Sequence, residues 1–355
     1  MSHPRIHNLT PFEFAPLFLA DAEGQPLFVP LLKATLANGP DGRLRLPPKQ
    51  PPVHIGGQWW GPPDISSFKF EPEGVTVKPA TDVVLIGHAY PAKAGDTETL
   101  VGLRVGPLRK LVRVMGDRWW VRRAGLISKT APQAFDKIPL QWERAFGGWD
   151  RHAPDPAEHR CETRNPVGAG FRVRWWDDEP RVALPNLEDP DEAIAAFDDR
   201  PRPVGFGFLS AQWQPRAALA GTYDAAWMKG RMPLLPTDFD PRFLNAAPLD
   251  QIVQGYLQGH EDVSIVNASP HGALHFALPG QGLPPTFEVT LRSGGTHALR
   301  PVMDTLLIDT ESHMVSMLWR AALPVADVPG DIAAVRVSWE GGWMATDHAH
   351  AARAQ

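Results

Sequence analysis

The sequence has little cysteine and no long apolar run, and each shortage excludes a class of protein. Its single cysteine, Cys161, excludes an internal disulfide. No apolar run approaches the roughly 20 residues that a membrane-spanning helix needs, and the best candidate, residues 82–90, has only strand length. The N-terminus MSHPRIHNLTPFEF has neither the basic start nor the apolar run of an export signal. We therefore expect a cytoplasmic protein that does not bind a membrane.

Recognised catalytic motifs are also missing. No serine lies in a GxSxG elbow, and Cys161 has no recognised nucleophile context. The GxG of residues 204–208, VGFGF, is followed by no helical pattern and so does not indicate a phosphate-binding loop. A catalytic triad assembled from distant residues stays open, because such triads form in space. Nothing in these motifs favours catalysis, and we expect no cofactor.

Metal-ligand spacing is weak throughout. His152, His159 and Cys161 form the densest cluster of candidate zinc ligands, but HxxxxxxHxC in a proline-rich loop matches no familiar zinc site. We favour the alternative of surface histidines near a buried thiol. Three aspartates could supply oxygen ligands to a hard cation, but the terminal Glu of a calcium loop is missing, and Asp-stabilised turns are the simpler interpretation. They are Asp224, Asp238 and Asp240. We expect no metal.

The charge balance gives no general attraction to nucleic acid, because the formal net charge is −5. A local basic segment is the exception, and its members are Arg104, Arg109, Lys110, Arg113, Arg118, Arg122 and Arg123. These residues mostly alternate with apolar Leu and Val, a pattern typical of a half-buried strand. We favour solvated strand faces over a nucleic-acid site and expect no nucleic-acid partner.

The 355 residues include 38 prolines and 31 glycines, which predict short elements separated by turns. Residues 17–36 predict a hairpin around the turn 21–25, and residues 81–92 and 99–123 predict an antiparallel meander with a second hairpin at Gly116-Asp117. The run VVLIG within it fits a buried strand opening a βα unit as an alternative. Further strands are predicted at residues 286–292, 304–309, 314–320 and 334–339.

The central region is predicted to be loop-rich, especially residues 138–170 and 183–194. One of the few plausible helices covers residues 250–258, with Asp250 as its cap and Gly259 as its stop. The fold class is therefore mainly β, with antiparallel β-sandwich-like sheets, a long loop-rich central region and few short helices. The predicted organisation is a single large domain over residues 1–345 followed by a disordered tail, 346–355. Two β lobes, about 1–135 and 200–345, are the alternative.

The abundance of tryptophan is consistent with a protein that recognises a partner through an aromatic surface. The sequence contains 13 tryptophans, and Trp, Tyr and Arg dominate the energetics of protein interfaces. Many of these tryptophans must also belong to the core. Two lie in a proline-rich connector, residues 47–63, that is either a structural loop or a PxxP ligand. The predicted partner-binding residues are Trp59, Trp60, Trp142, Arg144, Trp149, Trp213, Arg216, Tyr223 and Trp227.

A collinear series of motifs between residues 8 and 320 resembles a known family. The motifs are NLTPF (8–12), VPLLKATL (29–36), MGDRWW (115–120), PLQWERAFGG (139–148), RNPVGAGF (164–171), LPNLEDP (184–190), GTYDAAW (221–227), LPTDFDPRFLNAAP (235–248), GHEDVSIVN (259–267), DTLLIDT (304–310) and LWR (318–320). The series is similar to the accessory proteins of bacterial type VI secretion, long catalogued as a domain of unknown function. Departures are confined to the proline-rich loop and the polar tail.

The resemblance implies a non-enzymatic adaptor or chaperone that binds and stabilises a toxin effector and helps to load it on the secretion spike. The implied partners are an effector with a PAAR-like domain, or a segment adjoining that domain, and the spike protein. The resemblance assigns no individual residue to a binding site. Strand addition at an open sheet edge is the binding mode we expect of a β-rich chaperone. The alternatives are a hydrolase acting on a peptide or glycan, and a structural component of the secretion assembly.

Overall fold

The computed structural model describes residues 3–39, 41–280, 283–326 and 330–340. The predicted tail, 346–355, lies outside the described residues. Within them the chain is mainly β, with several antiparallel sheets, one α-helix and a few 3₁₀ turns, which confirms the predicted fold class. No helix in these ranges has the length and apolar composition that crossing a bilayer requires.

The strands follow one another along the whole chain and are numbered in sequence order. They are β1 (Arg5–Asn8), β2 (Glu13–Ala20), β3 (Pro26–Asn38), β4 (Leu44–Arg45), β5 (Gln58–Trp59), β6 (Phe68–Phe70), β7 (Thr81–Ile86), β8 (His88–Ala89), β9 (Glu98–Val105), β10 (Leu108–Met115), β11 (Trp119–Arg123), β12 (Leu126–Lys129), β13 (Ile138–Pro139), β14 (Phe146–Gly147), β15 (Trp149–Asp150), β16 (Arg160–Cys161), β17 (Ala169–Gly170), β18 (Arg181–Ala183), β19 (Leu187–Glu188), β20 (Ile252–Val253), β21 (Asp262–Val266), β22 (Ala273–Ala277), β23 (Thr286–Leu291), β24 (Thr296–Leu299), β25 (Val302–Asp309), β26 (Met314–Arg320), β27 (Leu323–Pro324) and β28 (Ile332–Ser338).

The helical elements are few and short. The α-helix α1 covers Ala225–Gly230, and the 3₁₀ helices are Trp142–Arg144, Pro156–Glu158, Arg216–Leu219, Pro241–Leu244 and Leu249–Gln251. The Asp224 carboxylate accepts a hydrogen bond from the backbone N–H of Trp227 and so caps α1.

The largest sheet, which we call the long sheet, has eight strands in the order β2-β3-β26-β25-β7-β20, with β4 and β27 paired to β3. The hairpin predicted for residues 17–36 is confirmed by β2 and β3. Strand β3 is buried on both faces: Phe28 and Leu32 belong to one apolar cluster, and Val29 and Leu31 belong to another. A continuous apolar sequence is what burial on both faces requires.

Strand β7 is buried along its whole length and lies between β25 and β20 in the long sheet. The sequence predicted the strand correctly but placed it in a local meander. It pairs instead in parallel with β25, far along the chain, with Leu306 opposite Val83. Strand β7 is followed directly by β8 and not by the helix of a βα unit. Strand pairing depends on contacts distant in sequence, which a local pattern does not encode.

A second sheet, which we call the five-stranded sheet, has the order β19-β10-β9-β21-β22. The predicted meander is confirmed where β9 and β10 pair in antiparallel register. The hairpin predicted at Gly116-Asp117 is wrong, because β11 pairs with β12 and β18. Gly116 packs so closely on the segment around Gln133 that an added Cβ would lie 1.7 Å from the Gln133 carbonyl oxygen. This glycine allows a close approach between segments and does not reverse the chain.

The helix predicted for residues 250–258 is also wrong. The segment forms the 3₁₀ turn Leu249–Gln251 and then β20, which pairs with β7. The buried Gln251 amide donates to the carbonyl oxygens of Val83 and Phe206, at 2.7 and 3.1 Å. These bonds hold the backbone against the long sheet and override the local helical pattern.

The amino- and carboxy-terminal parts of the chain meet in a four-stranded sheet with the order β1-β28-β23-β24. Strand β1 runs parallel to β28. The largest apolar cluster contains both Phe12 and Trp339, whose ring centroids lie 5.5 Å apart. The division of the chain into one domain or two lobes stays a prediction.

Buried ion pairs fasten the loops to the long sheet. Lys33 Nζ lies 2.7 Å from Glu73 Oε1, and Lys78 Nζ lies 2.7 Å from Asp82 Oδ2. Burial lowers the pKa of Lys33, and the Glu73 carboxylate opposes this shift. Each pair joins residues 71–78 to a strand. These loops are therefore fixed parts of the structure.

A further buried ion pair joins the neighbouring strands β25 and β26. Arg320 on β26 pairs with Asp304 on β25, and both side chains are at most 1% exposed. Arg320 also donates to the carbonyl oxygen of Glu73 at 2.8 Å. One guanidinium group therefore joins strand β25 to the loop that contains Glu73.

Replacing Arg320 by methionine is expected to lower the free energy of unfolding by about 3–5 kcal/mol, because Asp304 would remain as a buried charge without its cation. The matched control is Arg336→Met. Arg336 and Glu288 form an exposed pair 3.8 Å apart, so its loss should cost less than about 1 kcal/mol. Urea unfolding followed by circular dichroism measures both values. Equal losses would contradict the structural role of the buried pair.

Candidate binding surface

Side chains packed around Trp142 support the central region, and we call this packed group the frame. Its indole N–H donates to the Gly207 carbonyl oxygen at 3.2 Å. A Cβ added to Gly205 would lie 3.2 Å from the same ring, so the segment VGFGF packs flat against the indole. Trp213 meets Trp142 edge-on with 6.2 Å between ring centroids. Both tryptophans were predicted from the sequence to contact a partner, but they are buried in the core.

Asn165 adds hydrogen bonds to the frame. Its fully buried amide donates to the carbonyl oxygens of Trp142 and Phe146, at 2.8 and 3.0 Å. Gly147, with φ +150°, approaches so closely that an added Cβ would lie 2.1 Å from the Asn165 carbonyl oxygen. The glycines of AFGG and the asparagine of RNPVGAGF are therefore parts of one packing arrangement. This arrangement fixes the start of β15.

A loop carrying two tryptophans is tied to this frame by Glu143. The Glu143 carboxylate accepts from the Ser67 backbone N–H at 2.7 Å and from the Ser67 hydroxyl at 2.8 Å. Trp59 packs on Phe68 with 4.6 Å between ring centroids. Trp59 and Trp60 nevertheless remain 37% and 36% exposed. The loop thus holds two large apolar side chains at the surface.

An open groove separates this loop from β15. Ile65 lies on one side and Trp149 on the other, and the two side chains are 60% and 42% exposed. The groove encloses about 420 Å³, and its floor includes Pro166 and Val167. Trp59 and Trp60 do not line the groove but belong to the same loop as Ile65, and we call these three residues together with Trp149 the tryptophan face. Exposed apolar side chains grouped in this way mark interaction sites on soluble proteins.

Cations lie over the exposed indoles of the tryptophan face. Lys69 Nζ is 4.9 Å from the centroid of Trp60, and Arg151 Cζ is 4.7 Å from that of Trp149. Neither cation has a carboxylate within ion-pair distance among the residues that the structure describes. The contacts orient each side chain through the ring quadrupole while leaving its charge unneutralised. The face therefore combines apolar area with positive charge.

Asp150 anchors the strand beneath Trp149. It accepts hydrogen bonds from the indole N–H of Trp176 and the backbone N–H of Val173, both at 2.9 Å, and from His152. Burial opposes ionisation, but these hydrogen bonds hold the pKa of the Asp150 carboxyl below its ordinary value. His152 stacks on Trp176 with 5.7 Å between centroids. This histidine–aspartate pair holds the position of β15.

A second aromatic cluster surrounds α1. Tyr223 meets Trp227 with 4.7 Å between ring centroids, and the Trp227 indole N–H donates to the Leu234 carbonyl oxygen at 2.8 Å. Arg231 ties the segment to the β2–β3 turn through Glu23 at 2.7 Å. Met228 is 65% exposed here. A groove of about 400 Å³ lies beside the helix.

The nine predicted residues therefore fall into separate groups. Trp59 and Trp60 lie on the loop that carries Ile65, Trp149 lines the groove with Ile65, and Tyr223 and Trp227 meet beside α1. Arg144 is exposed, whereas Arg216 is buried and pairs with Glu71 at 2.7 Å. Trp142, Trp213 and Arg216 are buried within the frame, so a partner cannot reach them.

Sequence reasoning missed other members of these surfaces. They are Ile65, Lys69, Arg151, Met228 and Met232. The sequence did contain one sign of an exposed apolar residue, namely Ile65 within the otherwise polar segment DISS of residues 64–67. The cations gave none, because their position over the indole rings depends on contacts between distant segments.

The suspected metal ligands do not converge. His152 contacts Asp150, while the His159 ring lies 3.1 Å from the Ala153 carbonyl oxygen. No group of three or more His, Cys, Asp or Glu side chains within the described ranges is arranged to hold a metal ion. Asp224 and Asp240 cap short helices, and Asp238 accepts from Thr222. These aspartates stabilise turns.

A protein-family model matches residues 23–320. The chain belongs to the DUF2169 family, described as an uncharacterized protein conserved in bacteria. Neither the curated proteins nor the solved structures include a match to the chain. The polar motif residues of this DUF2169 protein are largely structural: Asn245 donates to Asp82 Oδ1 at 2.9 Å, and Arg118 pairs with Glu188 in the interior.

The lone thiol is expected to react slowly in the folded protein. Burial, with a further contribution from Glu162, raises the pKa of Cys161 to about 11. The folded chain should therefore alkylate with iodoacetamide at pH 8 roughly a hundredfold more slowly than the urea-unfolded chain, and faster as the pH approaches 11. Mass spectrometry measures the modified fraction, and Cys161→Ser is the blank. Equal rates for the folded and unfolded chains at pH 8 would contradict the shift.

Proposed function

We propose that this DUF2169 protein is a non-enzymatic adaptor of bacterial type VI secretion, which binds and stabilises a toxin effector and helps to load it on the spike. The observation that carries the proposal is the tryptophan face, where exposed indoles are held on a fixed frame. The collinear motif series supplies the link to secretion. The proposed partners are an effector with a PAAR-like domain, or its adjoining segment, and the spike protein.

The energetics of recognition support this assignment. Tryptophan and arginine are enriched among the residues that contribute most to binding energy at protein interfaces, and tryptophan buries a large area with only about two side-chain torsions. The Ser67–Glu143 hydrogen bonds and the Asn165 contacts hold both sides of the groove in place before a partner arrives. A preorganised surface loses less side-chain entropy on binding than a mobile one. The tryptophan face therefore suits the retention of an apolar client segment.

Strand addition, the mode expected from the sequence, has a well-exposed candidate edge at β12. Strand β12 lies at the edge of the sheet β12-β11-β18, and all four of its residues are exposed, with Leu126 at 75%. The edge of β22 is less accessible, because an added Cβ at Gly42 would lie 2.4 Å from the His275 carbonyl oxygen. A client strand that pairs with β12 would extend this small sheet.

The proposal is tested by co-expressing the protein with an effector encoded beside it, followed by affinity capture and gel filtration. An effector that becomes soluble and co-elutes in a fixed ratio supports the adaptor function. An effector that is stable alone and forms no complex overturns it, and hydrolysis of peptides and glycans then becomes the next assay. Recovery of the protein outside the cell with the spike would instead favour a structural component of the assembly.

Trp59→Ala combined with Trp149→Ala is expected to weaken effector binding by more than about tenfold, because truncating a central interface tryptophan typically costs about 2 kcal/mol or more. Leu9→Ala is the matched control: Leu9 is 60% exposed but lies outside both aromatic surfaces. Isothermal titration calorimetry measures the affinities, and circular dichroism checks the fold. Unchanged affinity in a folded double variant would remove the tryptophan face from the interface.

A further inference from the structure

The five-stranded sheet has an outer face that the tryptophan face does not explain. Along β9 and β10 the buried residues alternate with exposed ones, so one face packs on the core and the other meets solvent. Arg104 on β9 lies directly opposite Arg109 on β10. Ser264 on β21 is the next residue in the same row, and His275 on β22 follows it. The row therefore crosses four strands.

The two opposed arginines make an unfavourable pair. Like charges directly opposite each other on antiparallel strands destabilise a sheet. The side chains of Arg104 and Arg109 form no hydrogen bond or ion pair with any residue that the structure describes, and neither does that of Arg113, two residues further along β10. Glu98 on β9 and Asp262 on β21 are not within ion-pair distance of them, and Glu188, which lies opposite Arg113 on β19, pairs with Arg118 instead.

Of the other basic residues in the same segment, three are paired with carboxylates, while Arg123 has no carboxylate within ion-pair distance among the described residues. Lys110 pairs with Asp250 at 2.8 Å, Arg118 pairs with Glu188, and Arg122 pairs with Asp177 at 3.0 Å. The fold thus supplies carboxylates to several neighbouring cations and leaves those of the outer face without one. A row of unneutralised guanidinium groups is complementary to an anionic partner.

An apolar row runs beside the cationic one. Leu111 and Val266 lie on either side of Gly102, and they are 58% and 42% exposed. Gly102 has no side chain between them, and an added Cβ would lie 3.2 Å from Leu111. Leu100, 47% exposed, continues the apolar area along β9. The rows together form a flat surface with a cationic band and an aliphatic band.

We propose that this surface, which we call the arginine face, docks an acidic segment of a partner protein that also carries aliphatic side chains. Carboxylates of the segment would neutralise Arg104 and Arg109, and its aliphatic residues would cover Leu111 and Val266. The aliphatic band favours protein over nucleic acid, because exposed bases stack on aromatic side chains and this band has none among its described members. The proposal is independent of the adaptor function.

The probe is a short fluorescein-labelled peptide in which glutamates and aspartates alternate with single leucines, titrated against the full chain at low salt and followed by anisotropy. The expected result is saturable binding that weakens as salt rises, because exposed ion pairs are screened. The double variant Arg104→Glu/Arg109→Glu should weaken it by about tenfold or more. Arg123→Glu, at an exposed arginine on β11, is the control and should change the affinity less than about twofold. The single variant Arg104→Glu changes the net charge by the same amount and should weaken binding more than this control.

Several outcomes would overturn the proposal. These are no binding by the acidic peptide, equal binding by a peptide with lysine in place of its acidic residues, and tighter binding of single-stranded DNA. Equal loss in the Arg123→Glu control would show only a net-charge effect. If the double charge reversal does not fold by circular dichroism, Arg104→Gln/Arg109→Gln replaces it, and unchanged binding in that folded variant also overturns the proposal. Loss of peptide binding with effector capture intact would separate the arginine face from the adaptor function.

Discussion

The buried ion pair between Arg320 and Asp304 is the contact on which the long sheet and its loops depend. Arg320 reaches both the neighbouring strand and the Glu73 backbone, so a single guanidinium group fixes the ends of β25 and β26 and the loop beside them. Removing a charge from water is costly unless its partner is present. Loss of either partner alone would therefore leave an uncompensated charge in the interior.

Further buried polar contacts repeat this design across the central region. Lys33 with Glu73, Arg216 with Glu71 and Asn245 with Asp82 each join a loop to a strand or to another loop. The region has little regular structure, yet its backbone is fixed at many points. This explains how loops can hold tryptophans at the surface: buried carboxylates and amides replace the ladder hydrogen bonds that strands provide.

The protein exposes two surfaces with different chemistry. The tryptophan face combines indoles with overlying cations around an open groove, whereas the arginine face combines opposed guanidinium groups with a flat aliphatic band. Both rest on rigid elements, which limits the entropy lost when a partner binds. A protein with two such surfaces is equipped to hold one partner while it contacts another. This property agrees with the proposed role in effector loading.

The sequence by itself determined the class of structure, because strand-length apolar runs and frequent turn residues leave little room for long helices. It also identified the β2–β3 hairpin and the β9–β10 pair, since both are local. Only the tertiary structure decided the partners of β7, the path of the chain after Gly116 and the strand conformation that follows Gln251, because contacts with distant segments override local preference. The same holds for the candidate site. Composition marked tryptophan and arginine as binding residues, but burial separated Trp142, Trp213 and Arg216 from Trp59, Trp60 and Trp149, because exposure is a property of packing that the identity of a residue does not carry.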